Sequence, residues 1–103
     1  MIILKNVTGF DWDEGNSRKS GRHRVSMAEA EQVFFSIPAL MLPDPGHSQS
    51  ETRYHALGRT IEGRRLHVTF TLRGSGRLIR VISPREMSRK ERNHYEQATQ
   101  DNT

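Results

Sequence analysis

The sequence predicts an α+β domain: two N-terminal helices, a three- to four-stranded antiparallel sheet, and a C-terminal helix. Three observations carry that reading. Ser26 with Glu29, and Ser88 with Glu91, are capping boxes that open helical stretches. From Thr52 the apolar period changes from helical to two. Between these regions a proline-rich run, PALMLPDPGHSQS at 38–50, interrupts all periodicity.

The elements follow in order. Residues 2–4 are a short apolar run suited to an edge strand, which Gly9 breaks. Asp11 or Asp13 caps a first helix to about Arg22, and Trp12 beside them is expected to anchor the core. Gly15, Asn16, Ser17, Ser20 and Gly21 give this helix poor propensity, so it must lean on tertiary contacts. The second helix is clearer. Met27, Ala30, Val33, Phe34 and Ile37 fall on one face before Pro38 closes it. Residues 38–50 are read as a loop whose Leu40, Met41 and Leu42 either face a partner or plug a sheet edge.

Thr52 to Arg59 reads as a strand, and Thr60–Gly63 as a hairpin turn. Arg65 to Arg73 is the best strand: Leu66, Val68, Phe70 and Leu72 alternate with Arg65, His67, Thr69, Thr71 and Arg73. Gly74-Ser75-Gly76 turns the chain into a third strand, Arg77 to Ser83. A meander with one greasy and one cationic face results, packed by helices on one side. The last helix runs from Ser88 to about Ala98, with Tyr95 turned back onto the sheet. A single domain over 1–98 and a frayed tail over 99–103 are expected.

Charge narrows the function. Ten of the 16 Lys and Arg residues lie between Arg59 and Arg92, with three acids, Glu62, Glu86 and Glu91, among them. The net charge of +4 thus comes from one third of the chain, and nine of those ten cations are Arg. Arginine forks grip phosphate oxygens in pairs, so RNA or DNA is the first partner to consider. Cysteine is absent, which excludes disulfides, thiolate metal sites and a thiol nucleophile. The five histidines show no paired ligand spacing, so neither a metal nor another cofactor is expected. No run approaches the roughly 18 apolar residues of a membrane helix, and the opening MIIL is short for a secretory signal. A cytoplasmic protein without membrane contact is the expectation.

Five segments together resemble a known family. FDWDEGN (10–16), RKSGRHRVSMAEAEQVF (18–34), ETRYHALGRT (51–60), GRRLHVTFTLRG (63–74) and RLIRVISPREMSRKERNHYE (77–96) are similar, in register, to the BrnT toxins. That resemblance implies a RelE-like fold and a metal-independent ribonuclease that inhibits translation. It also implies neutralisation by a ribbon-helix-helix antitoxin, BrnA, which binds operator DNA. Two departures stand out. The family's Lys-His-Gly-Val reads Arg22-His23-Arg24-Val25 here, and a side chain at that glycine strains the backbone wherever φ must be positive. Its Ser-Ala-Arg reads Ser83-Pro84-Arg85, which fixes the chain as it enters the last helix. Either change can blunt activity.

Metal-free RNA cleavage needs a base for the 2′-hydroxyl, cations for the phosphorane charge, and an acid for the departing 5′-oxygen. Within the matching motifs, Arg73 is the first candidate for this chemistry and Arg80 the second, since a charge among Ile79 and Val81 needs a reason. Arg53, Arg85 and His23 follow. Arg65, His67, Arg77, Arg89 and Lys90 are candidate RNA contacts. His67 shares a strand face with Arg73, but six residues separate them, roughly 20 Å, too far for one phosphate. Glu91 is accounted for by its cap. The alternative function is a non-catalytic nucleic-acid-binding or attenuated toxin module acting with its antitoxin. A third reading makes the arginines mere solvation and predicts no salt-sensitive RNA binding.

Overall fold

The computed structural model describes residues 4–47 and 51–100. In chain order its elements are β1 (Gly9–Phe10), α1 (Glu14–Arg22), α2 (Met27–Phe35), β2 (Leu40–Pro43), β3 (Tyr54–Arg59), β4 (Arg65–Arg73), β5 (Leu78–Glu86) and α3 (Arg89–Gln100). They form an α+β fold around a sheet ordered β1-β5-β4-β3-β2.

This sheet is larger than the meander expected, and it is mixed. β1 runs parallel to β5, pairing Gly9 with Leu78 and Phe10 with Ile79, while every other pair is antiparallel. β2 comes from the supposed loop. Leu40 to Pro43 pair with Leu57 to Tyr54, so these apolar residues close a sheet edge. The signal was hidden because four residues flanked by prolines show no readable period. Residues 2 and 3 of the expected N-terminal strand lie outside the described residues, and the edge strand at that end is Gly9–Phe10. β5 also continues through Pro84 to Glu86, beyond the expected end at Ser83. Pro84 therefore sits within a strand, opposite Val68, and not at a helix entrance. It is tolerated because β1 pairs with β5 only at Leu78 and Ile79, leaving the rest of β5 an edge strand.

Helices lie on both faces of the sheet, not on one. Val25, at the entry to α2, and Ala30 and Val33 within it join Ala56, Leu66, Val68, Phe70, Ile79 and Val81 in the buried core. Phe34 meets Phe70 edge to face at 4.9 Å. α3 crosses the opposite face, where Glu96 accepts from Arg65 and Glu91 from Arg85. The polar side of β4 is consequently no solvated stripe: His67 and Thr71 are buried, and Thr71 Oγ1 donates to the Thr52 carbonyl at 2.6 Å. Tyr95 is fully buried beneath α3 and donates its hydroxyl to the Pro38 carbonyl at 2.7 Å. Thr99, placed in the frayed tail by sequence, is buried and donates to the Tyr95 carbonyl, so the helix runs to Gln100.

Local chemistry sets each helix. Asp13 caps α1 and accepts from Asn16 N–H, while Asn16 Oδ1 accepts from Asp13 N–H at 2.7 Å. The Asn16 amide also donates to the carbonyls of Asp11 and Val81, which ties this weak helix to β5. Trp12 is partly buried and packs against the core, as expected, its indole N–H donating to Glu31 at 2.8 Å. Ile37, expected on the buried face of α2, is 88% exposed, because the helix is already capped at Ser36.

Two backbone positions are demanding. Gly58 in β3 runs against the end of α2, where an added Cβ would lie 2.5 Å from Ser36 Oγ and 2.9 Å from the Val33 carbonyl oxygen. A backbone carbonyl cannot yield cheaply, so Gly58→Ala is expected to lower unfolding free energy by about 1–3 kcal/mol in urea titration. Arg24 has φ +57, the left-handed conformation that glycine adopts without strain and a side chain does not. Arg64 holds this corner by donating to the Arg24 carbonyl and to Glu29. Since neither acceptor depends on the Arg24 side chain, Arg24→Gly is expected to gain about 1 kcal/mol, read as a higher melting temperature.

Candidate active site

The uncovered part of the α3-side sheet face forms a cleft of about 660 Å³. The hairpin registers build its floor. Leu57 pairs with His67 and His55 with Thr69 across β3 and β4, while Arg85 pairs with His67 and Ser83 with Thr69 across β4 and β5. Directly paired residues share a face, so these side chains converge. A bulge in β5 follows: Thr69 pairs with Ser83 but Phe70 with Val81, leaving Ile82 without a counterpart. This extra residue switches the parity of β5 and puts Arg80, opposite Thr71, on the same face as Arg85. Lys19 of α1, Asp44 after β2, and Lys90, Glu91 and His94 of α3 complete the rim.

At the centre, Glu91 ties helix to sheet. Arg85 donates to both of its carboxylate oxygens, at 2.7 and 2.8 Å, and Ser88 N–H donates to Oε1 at 2.9 Å. The Arg85 hydrogen bonds hold the Glu91 carboxyl down at about 2, against the penalty of burial. His67 stands beside this pair with 7% of its surface exposed. Its Nε2 is 3.7 Å from Glu91, too long for a hydrogen bond, and its buried Nδ1 has no partner among the described residues. Burial, then the Arg85 charge, pushes the imidazole down to about 4, so it is neutral at pH 7. His55 lies with its ring centroid 4.6 Å from that of His67. Both nitrogens of His55 are engaged, Nε2 with Asp44 at 2.9 Å and Nδ1 with Thr69 Oγ1 at 3.0 Å. The cleft therefore holds a neutral imidazole, a second oriented imidazole and several cations in one partly dehydrated place.

The structure brings some candidates together and separates others. Arg53, His67, Arg85 and Lys90 line the cleft. Arg73 does not: it sits exposed at the far end of β4, paired with Glu51 at 3.0 Å. Arg80 is half-buried and paired with Asp13 at 3.0 Å and Asp11 at 3.5 Å, which answers why a charge is tolerated between Ile79 and Val81. It belongs to a neighbouring hollow of about 300 Å³ that shares Lys19, Arg53 and Ile82 with the cleft. His23 is exposed at the C-terminal cap of α1, its N–H donating to Ser20, away from Trp12's hydrogen bond to Glu31. Arg65 is paired with Glu96; Arg77 lies exposed in the β4–β5 turn, and Arg89 exposed in the first turn of α3.

His55, His94, Lys19 and Asp44 are cleft residues that sequence reading did not select, and Glu91 does more there than cap its helix. His55 was only partly within reach. The observed register, Arg59 opposite Arg65 across residues 60–64, sets His55 diagonal to His67 on one face. A turn confined to Thr60–Gly63 would instead pair 59 with 64 and put the two histidines on opposite faces. Asp44 had no such signal, since it depends on β2. Among the described residues no three His, Asp or Glu side chains are grouped to hold a metal ion. No helix among them is long and apolar enough to cross a membrane.

Comparison with known proteins now identifies the family. The model for "Ribonuclease toxin, BrnT, of type II toxin-antitoxin system" matches residues 12–91. The chain belongs to the BrnT family. Its fold is similar to the crystal structure of the Brucella abortus ribonuclease toxin, BrnT, with a TM-score of 0.61 and 23% identity, over 81% of this chain and 100% of that one. No curated protein matches. As a BrnT-family chain, it is a member of a family of ribonuclease toxins whose partners are antitoxins and whose substrate is RNA.

The buried His67 gives stability a definite pH dependence. Its folded value near 4 lies below the ordinary 6.5, so the unfolded chain takes up the proton first as pH falls. Stability should therefore be fully present above about 6.5 and decline toward pH 4, by about 1–2 kcal/mol after solvent screening. Urea titrations from pH 7.5 to 4 should show this decline in the wild type. His67→Gln should remove it, leaving the later loss as Glu91 protonates toward 2.

Proposed function

We propose that this BrnT-family toxin is a metal-independent endoribonuclease whose reaction takes place in the His67–Arg85–Glu91 cleft. It inhibits translation in the cytoplasm by cutting RNA, and a ribbon-helix-helix antitoxin that also binds operator DNA neutralises it. The observation that carries the catalytic part is a neutral imidazole, held at about 4 by burial and Arg85, in an open cleft lined by cations.

In this reading, the phosphodiester sits among Arg53, Arg85, Lys19 and Lys90, whose charge offsets what builds on its non-bridging oxygens. His67 Nε2 takes the proton from the ribose 2′-hydroxyl, and the resulting oxyanion attacks the adjacent phosphorus. The bond to the 5′-oxygen breaks, leaving a 2′,3′-cyclic phosphate and a free 5′-hydroxyl. His94 on the rim returns a proton to that 5′-oxygen, while His55 is held in place by Asp44 and Thr69. A base near 4 is weak, but its free form is fully populated at neutral pH. Glu91 keeps Arg85 in place and is not itself the base, since both of its oxygens are already engaged. Arg73 and Arg80 lie outside the cleft, so in this reading they bind flanking RNA and take no part in bond cleavage. Arg65, Arg77 and Arg89 extend that outer contact, and His23 stands apart from it.

Cleavage of end-labelled RNA in excess EDTA tests this. Wild type should cut, His67→Gln and Arg85→Ala should each be slower by about 10²-fold or more, and Arg73→Ala should stay within several-fold of wild type. Loss of cutting in Arg73→Ala, with both cleft variants active, would move the site to the end of β4. RNA shifted in a gel but left whole by the wild type would point to the non-catalytic binding module.

A further inference from the structure

Among the described residues, the three most exposed large apolar side chains share one place. Ile37 and Ile61 are each 88% exposed and Phe35 is 73% exposed, and all three line one hollow of about 510 Å³. It lies between the end of α2 and the β3–β4 turn, and no residue of the catalytic cleft contributes to it. Phe35 also borders a second hollow of about 480 Å³, walled by Val7, Phe10, Phe34 and Ile79. The two share Phe35 and together make a largely apolar strip along α2, in which Glu31 already accepts from Trp12. Scattered exposed apolar residues need no explanation, whereas a contiguous strip marks a surface that something covers.

Charge indicates what covers it. Arg59, at the rim of the first hollow, is exposed and makes one long hydrogen bond, 3.5 Å to the Ile37 carbonyl. No carboxylate among the described residues pairs with it, although its neighbours Arg64 and Arg65 are matched by Glu29 and Glu96. An apolar hollow with an unmatched guanidinium at its edge is complementary to an apolar segment that carries an acid. The hollow is bounded by a helix end and a hairpin turn, so a helix laid across it fits better than an added strand.

We propose that this strip is the surface on which the antitoxin docks, receiving an acidic amphipathic helix. Its apolar side chains cover Phe35, Ile37 and Ile61, and one carboxylate pairs with Arg59. This rests on membership of a toxin–antitoxin family, and it assigns the partner a place separate from the chemistry.

The test uses the full chain and its purified antitoxin, with binding measured by calorimetry and RNA cutting measured in parallel. Ile37→Glu/Ile61→Glu should weaken binding by about 30-fold or more, as loss of an interface centre does. Arg59→Glu should weaken it by about 10-fold or more, and Arg59→Lys much less. All three variants should melt and cut RNA like the wild type, and the first two should escape inhibition at antitoxin levels that silence it. Wild-type affinity in both Glu variants would overturn the proposal. So would a wild-type dimer in sedimentation that the double variant dissolves, since the strip would then be a contact between toxin copies. A wild type that binds antitoxin through this strip yet cuts no RNA would sink the catalytic reading and leave the docking surface standing.

Discussion

The carboxylate of Glu91 is the point on which the architecture of the cleft depends. It accepts the N–H of Ser88 at the start of α3, and it receives Arg85 from β5 in a two-pronged pair. One side chain thus begins a helix and fastens that helix to the sheet face opposite α2. Paired, hydrogen-bonded carboxylates hold position well because loss of either partner leaves a half-buried charge. With α3 fixed, Tyr95 is pressed onto the sheet, His67 is roofed, and the remainder of the face stays open as the cleft.

That arrangement has an electrostatic consequence. A histidine placed beside a carboxylate would ordinarily be pushed toward its charged form. Here the carboxylate is already committed to Arg85, and burial together with the Arg85 charge outweighs it, so His67 stays neutral. The positive character of the site thereby resides in guanidinium and ammonium groups, and the imidazole is left free to accept a proton. Most of the surrounding arginines are less available than their number suggests. Arg64, Arg65, Arg73 and Arg80 each have acidic partners, and Arg85 itself shares its charge with Glu91. A basic stretch in sequence is therefore a poor guide to which cations can reach a phosphate.

The two faces of this molecule are chemically distinct. One side of the sheet offers a polar, cationic cleft; the end of α2 offers an apolar strip with Arg59 beside it. Gly58 belongs to the same economy of space, since the close approach of α2 to β3 sets Ser36 Oγ against Gly58 and leaves Ile37 beyond it exposed.

The sequence by itself determined the helices, the β3–β4 hairpin and the start of β5, because these rest on local chemistry. Caps, turn residues and alternating side chains act within a few positions of one another. Positive φ at the corner of Arg24 was legible for the same reason, from the family's glycine. Legible too was Arg85 as a residue to watch, through its motif, and so was the family itself. Tertiary structure decided the rest. The pairing of β1 with β5 and of β2 with β3 joins segments too short to announce themselves. The bulge at Ile82 shifts the parity of β5, which no count along one strand reveals. Which arginines are neutralised depends on acids from distant elements, such as Asp13 beside Arg80 and Glu51 beside Arg73. Whether His67 is a solvent-facing contact or a buried neutral base depends on α3 lying over it, a contact between residues far apart in sequence that only packing creates.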